Sequence, residues 1–77
     1  MLKEIRKKFI EFCKLSGLKF EYHSDRRHPY VEFIFTNASD RKRYRLYTDE
    51  EHHYTSSQIA NIIIKDIKKT MLRKKEN

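Results

Sequence analysis

In 77 residues the chain has one cysteine, one glycine, one proline and no tryptophan. Each scarcity removes a class of explanation. Cys13 alone can form neither an internal disulfide nor a cysteine-cluster zinc site, so a reducing, cytoplasmic setting is expected. Gly17 alone cannot make the glycine-rich loop that wraps nucleotide phosphates, which argues against nucleotide cofactors. No low-complexity linker or internal repeat is present, so the chain reads as one domain, 1–77, with an ordered core over about 2–73. No apolar run approaches the roughly 20 residues of a membrane span. MLKEIRKKF is charged with no apolar stretch behind it, so neither a signal peptide nor an anchor is expected.

What the chain does have is positive charge and aromatic rings. Lysine and arginine outnumber aspartate and glutamate by 18 to 11, a net +7, and there are five Phe and five Tyr. On so small a body this spreads a positive potential over much of the surface and makes polyanions the natural partners. Nucleic acid leads, because its phosphate density rewards clustered cations through counterion release. An anionic membrane or an acidic protein face would use the same charge differently.

Leu2, Ile5, Phe9, Phe12 and Cys13 recur at three and four, the spacing of one helical face, and Gly17 follows where a left-handed cap belongs. KFEYHS alternates as a half-buried strand does. After SDRRH, Pro29 is placed at the first residue of a second strand, YVEFIFTN, because it cannot donate within a ladder. NASD reads as a turn, and RKRYRLYT as a third strand. Thr55 and Gln58 have capping-box spacing ahead of a second helix, with Ile59, Ala60, Ile63, Ile64, Ile67 and Met71 inward and Lys65, Lys68, Lys69 and Arg73 outward. The expected fold is α+β, in the order α-β-β-β-α, with both helices on one face of a three-stranded antiparallel sheet.

The period of two then decides what RKRYRLY is for. With Tyr44 and Leu46 inward, Arg43, Arg45 and Tyr47 share the open face with Tyr30, Glu32, Ile34, Thr36, Lys19 and His23, while Arg41 and Lys42 crown the hairpin. Candidate nucleic-acid contacts are therefore Arg26, Arg27, Arg41, Lys42, Arg43, Arg45 and Tyr47, with Lys65, Lys68 and Lys69 as basic helix flanks. Tyr47 and Tyr30 add stacking surfaces for bases. RNA is favoured over DNA as the partner, since no base-reading helix is visible. His52 and His53 beside Asp49, Glu50 and Glu51 read as a charged turn before the second helix rather than as metal ligands, because adjacent side chains do not converge. No metal or other cofactor is expected.

This order of elements resembles the double-stranded RNA-binding domain over nearly the whole chain, which implies an RNA partner. Ser57, Gln58 and Asn61 stand where that family carries its phosphate-gripping lysines. The layout around Gly17 and RRHPYV is also similar to HicA-type toxins, small ribonucleases whose catalytic histidine lies near the start of the second strand. His28 stands at that place, preceded by Arg26 and Arg27 where that family has Gly-Ser. The resemblance implies a metal-independent ribonuclease with an antitoxin partner. A further reading from the residues is a small protein inhibitor that uses the open sheet face and an exposed Ile34 as its interface.

Overall fold

The computed structural model describes residues 2–47 and 54–72. The acidic turn with His52 and His53, and Arg73 beyond the second helix, lie outside these residues. Helix α1, Leu2–Ser16, buries Ile5, Phe9 and Cys13 at four-residue intervals. It ends at Gly17, whose φ of 77° lets its N–H and that of Leu18 both reach the Cys13 carbonyl, at 2.9 and 3.1 Å. A Cβ there would meet nothing within 4 Å, so the left-handed backbone and not crowding calls for glycine. Burial pushes the Cys13 thiol up to about 11, which leaves it a small core residue rather than a nucleophile.

Strands β1 (Lys19–Ser24), β2 (Tyr30–Thr36) and β3 (Arg41–Tyr47) form an antiparallel meander in the order β1-β2-β3. Pro29 falls one residue before β2 instead of opening it, consistent with its missing N–H. Between β2 and β3, Asn37 Oδ1 accepts the N–H groups of Ser39 and Asp40, and this tight turn sets the register. Tyr22, Phe33 and Tyr44 stand in one row across the sheet, and Val31 faces Leu46.

Helix α2, Ser56–Thr70, begins with the predicted capping box: Thr55 Oγ1 accepts from the Gln58 backbone at 3.1 Å, and Gln58 Oε1 from the Thr55 backbone at 2.9 Å. Ile59, Ala60, Ile67 and Met71 are buried, with Ile63 and Ile64 packed beside them. Asn37 Nδ2 donates to the Met71 carbonyl, tying the end of α2 to the β2–β3 turn. The result is the expected α-β-β-β-α order with both helices over one sheet face.

Two contacts hold the layers together. Phe9 of α1 lies against Phe33 at 5.0 Å and Phe35 at 5.1 Å, both edge-on, and against Phe20 at 5.8 Å. On the β3 side, the Tyr44 hydroxyl donates to Asp66 Oδ2 at 2.5 Å, and Lys42 Nζ lies 3.5 Å from the same oxygen. The Tyr44 hydrogen bond, with smaller help from Lys42, holds the Asp66 carboxyl below its usual value. Burial first, and Asp66 second, push the Tyr44 phenol up.

Ile34 departs from expectation. It does lie on the open face, yet it is only 3% exposed and cannot serve as an exposed apolar interface. It sits on the central strand between Glu21 of β1 and Arg43 of β3, whose longer side chains flank it. Phe33→Ala should cost about 3–5 kcal/mol in denaturant unfolding, as an aromatic truncation in a closed core. Ile34→Ala should cost about 2 kcal/mol, the low end for such truncations, because its cavity opens towards the solvent side of the sheet rather than into the closed core. Equal costs would contradict this assignment of the two faces.

Tyr44→Phe removes the main cause of the lowered Asp66 value. A carboxyl with a depressed folded-state pKa adds stability above its unfolded value, near 3.8, and loses it as pH falls through the folded one. Melts recorded from about pH 6 down to pH 2 should therefore show a shallower acid loss in Tyr44→Phe than in the parent. An unchanged slope would mean that the Tyr44–Asp66 contact carries no linkage.

Candidate nucleic-acid interface

The open face is built by register. The β2–β3 turn sets Arg45 opposite Glu32, Arg43 opposite Ile34 and Tyr47 opposite Tyr30; β1 sets His23 opposite Glu32 and Glu21 opposite Ile34. Four rows therefore cross the sheet: Lys19–Thr36–Arg41, Glu21–Ile34–Arg43, His23–Glu32–Arg45, and Tyr30 with Tyr47 at the end.

Glu32 organises the middle of this surface. Its Oε2 accepts from Arg45 Nε at 2.9 Å, and its Oε1 lies 3.9 Å from Arg43 Nε. Its side chain is 19% exposed, against 54% for Arg43 and 45% for Arg45, so the carboxylate lies beneath the two guanidinium groups. The hydrogen bond from Arg45, then the charges of Arg43 and Arg45, hold the Glu32 carboxyl below its usual range. The arginines are thereby fixed in place, with part of their charge already answered.

At the end of the face, cation and rings converge. The Arg45 guanidinium carbon lies 4.4 Å from the Tyr30 ring centroid, and the rings of Tyr30 and Tyr47 are 5.2 Å apart and tilted. His28 stacks on Tyr30 at 5.0 Å and 14° between planes. Tyr47 is 39% exposed and His28 is exposed, so this cluster offers ring surface to solvent.

The other sequence-selected residues are dispersed. Arg27 is bound to Asp25 through Nη2 at 2.9 Å and Nε at 3.2 Å, and these contacts hold the Asp25 carboxyl low. Arg26 is exposed on the loop before β2, whereas Arg41 lies on the open face in the row of Thr36 and Lys19, on the same side of β3 as Arg43 and Arg45; among the described residues neither has a carboxylate within ion-pair distance. Lys42 turns to the helix side, over the Tyr44 ring and against Asp66. Lys65, Lys68 and Lys69 are exposed on the outer surface of α2, where they border a shallow apolar hollow around Ile62, on the far side of the molecule from Arg43 and Arg45.

Sequence reasoning passed over Glu32 as the partner of both arginines, and His23 as its cross-strand neighbour. Both were placed on the correct face by alternation. What was missing was the cross-strand partner of each residue, which follows only once the lengths of both turns are fixed. Among the described residues, no three of His, Cys, Asp and Glu converge as a metal site would require, and no helix is long and apolar enough to cross a membrane. The comparisons add no relative to this geometry: no protein-family model matches the chain, and neither the curated proteins nor the solved structures contain a match.

Proposed function

We propose that this protein binds single-stranded nucleic acid, RNA in preference to DNA, across the open face of its sheet. The observation that carries the reading is the Arg45–Tyr30 contact, flanked by His28 and Tyr47, on a face that neither helix covers. Stacking of bases on exposed rings is tolerant of sequence, and guanidinium groups track the phosphates between them. A strand laid along the face would meet Arg43 and Arg45 as phosphate anchors and the His28–Tyr30–Tyr47 cluster as its stacking surface. RNA is preferred because unpaired bases, splayed for stacking, are the usual target of protein recognition in RNA. The net +7 steers the ligand in from a distance.

Replacing Arg43 and Arg45 together by Gln should weaken binding to all single-stranded sequences alike. It should also lower the magnitude of the log–log salt slope by about 1.4, two contacts at roughly 0.7 each. The control is Lys65 and Lys68 to Gln, an equal loss of charge on α2. Equal losses from both pairs would assign binding to net charge rather than to the sheet. No loss from either would remove the nucleic-acid reading and leave a protein-binding face.

Glu32 gives a test with the opposite sign. If Arg43 and Arg45 receive phosphate, the carboxylate between them competes for the same guanidinium groups and repels the ligand. Glu32→Gln should then tighten RNA binding about fivefold in a low-salt titration, corresponding to about 1 kcal/mol for removing one like charge at contact distance in water. Weaker binding in that variant would mean that Glu32 serves to position the arginines more than it competes with phosphate.

A further inference from the structure

The helix layer carries a surface that the nucleic-acid reading leaves unused. Among the described residues five large apolar side chains are exposed, and three of them stand on the helices: Ile10 and Leu15 on α1 and Ile62 on α2. Ile10 lies in a hollow bordered by Lys3, Lys7 and Lys14, and Ile62 in one bordered by Lys65, Lys68 and Lys69. Each helix thus shows solvent an isoleucine ringed by ammonium groups. We propose that this face docks on the surface of an anionic lipid bilayer, with the lysines among the headgroups and the isoleucines at the acyl boundary. The proposal goes beyond the nucleic-acid reading and does not rest on it.

Charge on this face is free in a way that charge on the sheet is not. Arg43 and Arg45 meet Glu32, whereas none of the six helix lysines has a carboxylate within ion-pair distance among the described residues. Asp66 borders the Ile62 hollow, but its carboxylate is taken by Tyr44 and Lys42. In the Ile10 hollow the acid is Glu11, while Arg6 is drawn down over the Tyr22 ring, its guanidinium carbon 4.4 Å from the centroid. Lysine suits the task, since its stem can lie along an isoleucine while the ammonium group reaches into the headgroups. Attraction to an anionic leaflet falls off within a Debye length, so cations gathered on one face count and those on the far side of the molecule do not.

The placing of the apolar points selects the partner. A docked amphipathic helix needs a continuous apolar groove. Where α1 meets the start of α2 the surface is lined by Glu4, Lys7, Lys8, Glu11, Ser56 and Ser57, with no apolar side chain among them. Ile10 and Ile62 therefore sit in separate hollows on two helices, and that groove does not join them. A polynucleotide would use the lysines and gain nothing from the isoleucines. A broad anionic plane with an apolar interior takes both at once. No spanning segment is required, because interfacial helices bury their apolar side chains only as far as the boundary between headgroups and acyl chains.

The test is flotation of the full chain with vesicles of phosphatidylcholine alone and of equal parts phosphatidylcholine and phosphatidylserine. The expected result is partition onto the phosphatidylserine vesicles and not onto phosphatidylcholine alone. Lys65→Gln with Lys68→Gln should lower the partition coefficient about 25-fold, roughly fivefold for each cation. Ile10→Ser with Ile62→Ser leaves the net charge unchanged and should lower it about tenfold or more, with the thermal melt and RNA binding kept at the parent's values. Arg43→Gln with Arg45→Gln removes the same charge from the sheet and should lower it by no more than about threefold. Absence of partition onto either vesicle overturns the proposal. Equal losses from the lysine and arginine pairs overturn it as an effect of net charge, and partition indifferent to the isoleucine substitutions overturns it as attraction without insertion. Saturable binding of an amphipathic helical peptide of Glu and Leu, lost in Ile62→Ser and unaccompanied by partition onto vesicles, would assign the hollow to an acidic protein instead.

Discussion

Phe9 is the contact on which the rest of the molecule depends. A single ring on α1 meets three rings of the sheet, two on β2 and one on β1, at 5.0 to 5.8 Å. Edge-on geometry of this kind adds to the gain from apolar burial, and here it fixes the helix over the central strand. Once one face is committed to α1 and α2, the strand period sends every alternate side chain to a face with no second layer. That face has to be polar or shielded. The burial of Ile34 between the flanking Glu21 and Arg43 meets this requirement, and the meeting of Tyr30, Tyr47 and Arg45 is its by-product at the strand ends.

The same constraint explains why carboxylates lie within a basic surface. Three arginines on an edge strand would repel one another and remain conformationally loose. Glu32, beneath Arg43 and Arg45, relieves the repulsion and limits their rotamers. A preordered guanidinium loses less freedom when it meets a phosphate, at the expense of some attraction. Asp25 does the same for Arg27 within its turn. The net charge of +7 therefore overstates what the sheet face presents, and much of the excess lies on α1 and on the outer side of α2.

The fold was legible because each element carries a strong local signal. Ile5, Phe9 and Cys13 keep helical spacing, Gly17 marks the stop, Thr55 and Gln58 mark a start, and Phe33 and Phe35 alternate with Glu32 and Ile34. The faces of the sheet followed from these. The site was less legible, because its arrangement is set by relations between strands. Nothing local to Glu32 announces that it will receive Arg45, thirteen residues away, and nothing local to His23 announces that it will share a recess with His28. Lys42 shows the same limit: within RKRYRLY it is one cation among four, and only the placement of Asp66 on α2 reveals that it faces the helix layer.

On the proposed reading, the shape of the face bears on the kind of nucleic-acid strand it would hold. Three strands roughly 4.8 Å apart place the outer two about 10 Å from each other, which suits one extended strand and its bases better than the two phosphate ridges of a duplex. A duplex reader of this architecture would grip phosphates from the start of its second helix as well. Here Ser57, Gln58 and Asn61 occupy that end, while the lysines of α2 lie further along, from Lys65 to Lys69. Cations on opposite sides of so small a body cannot converge on one groove. The sheet face, by contrast, joins fixed guanidinium groups to exposed rings within a few ångströms, which is the combination an unpaired strand can use and a paired one cannot.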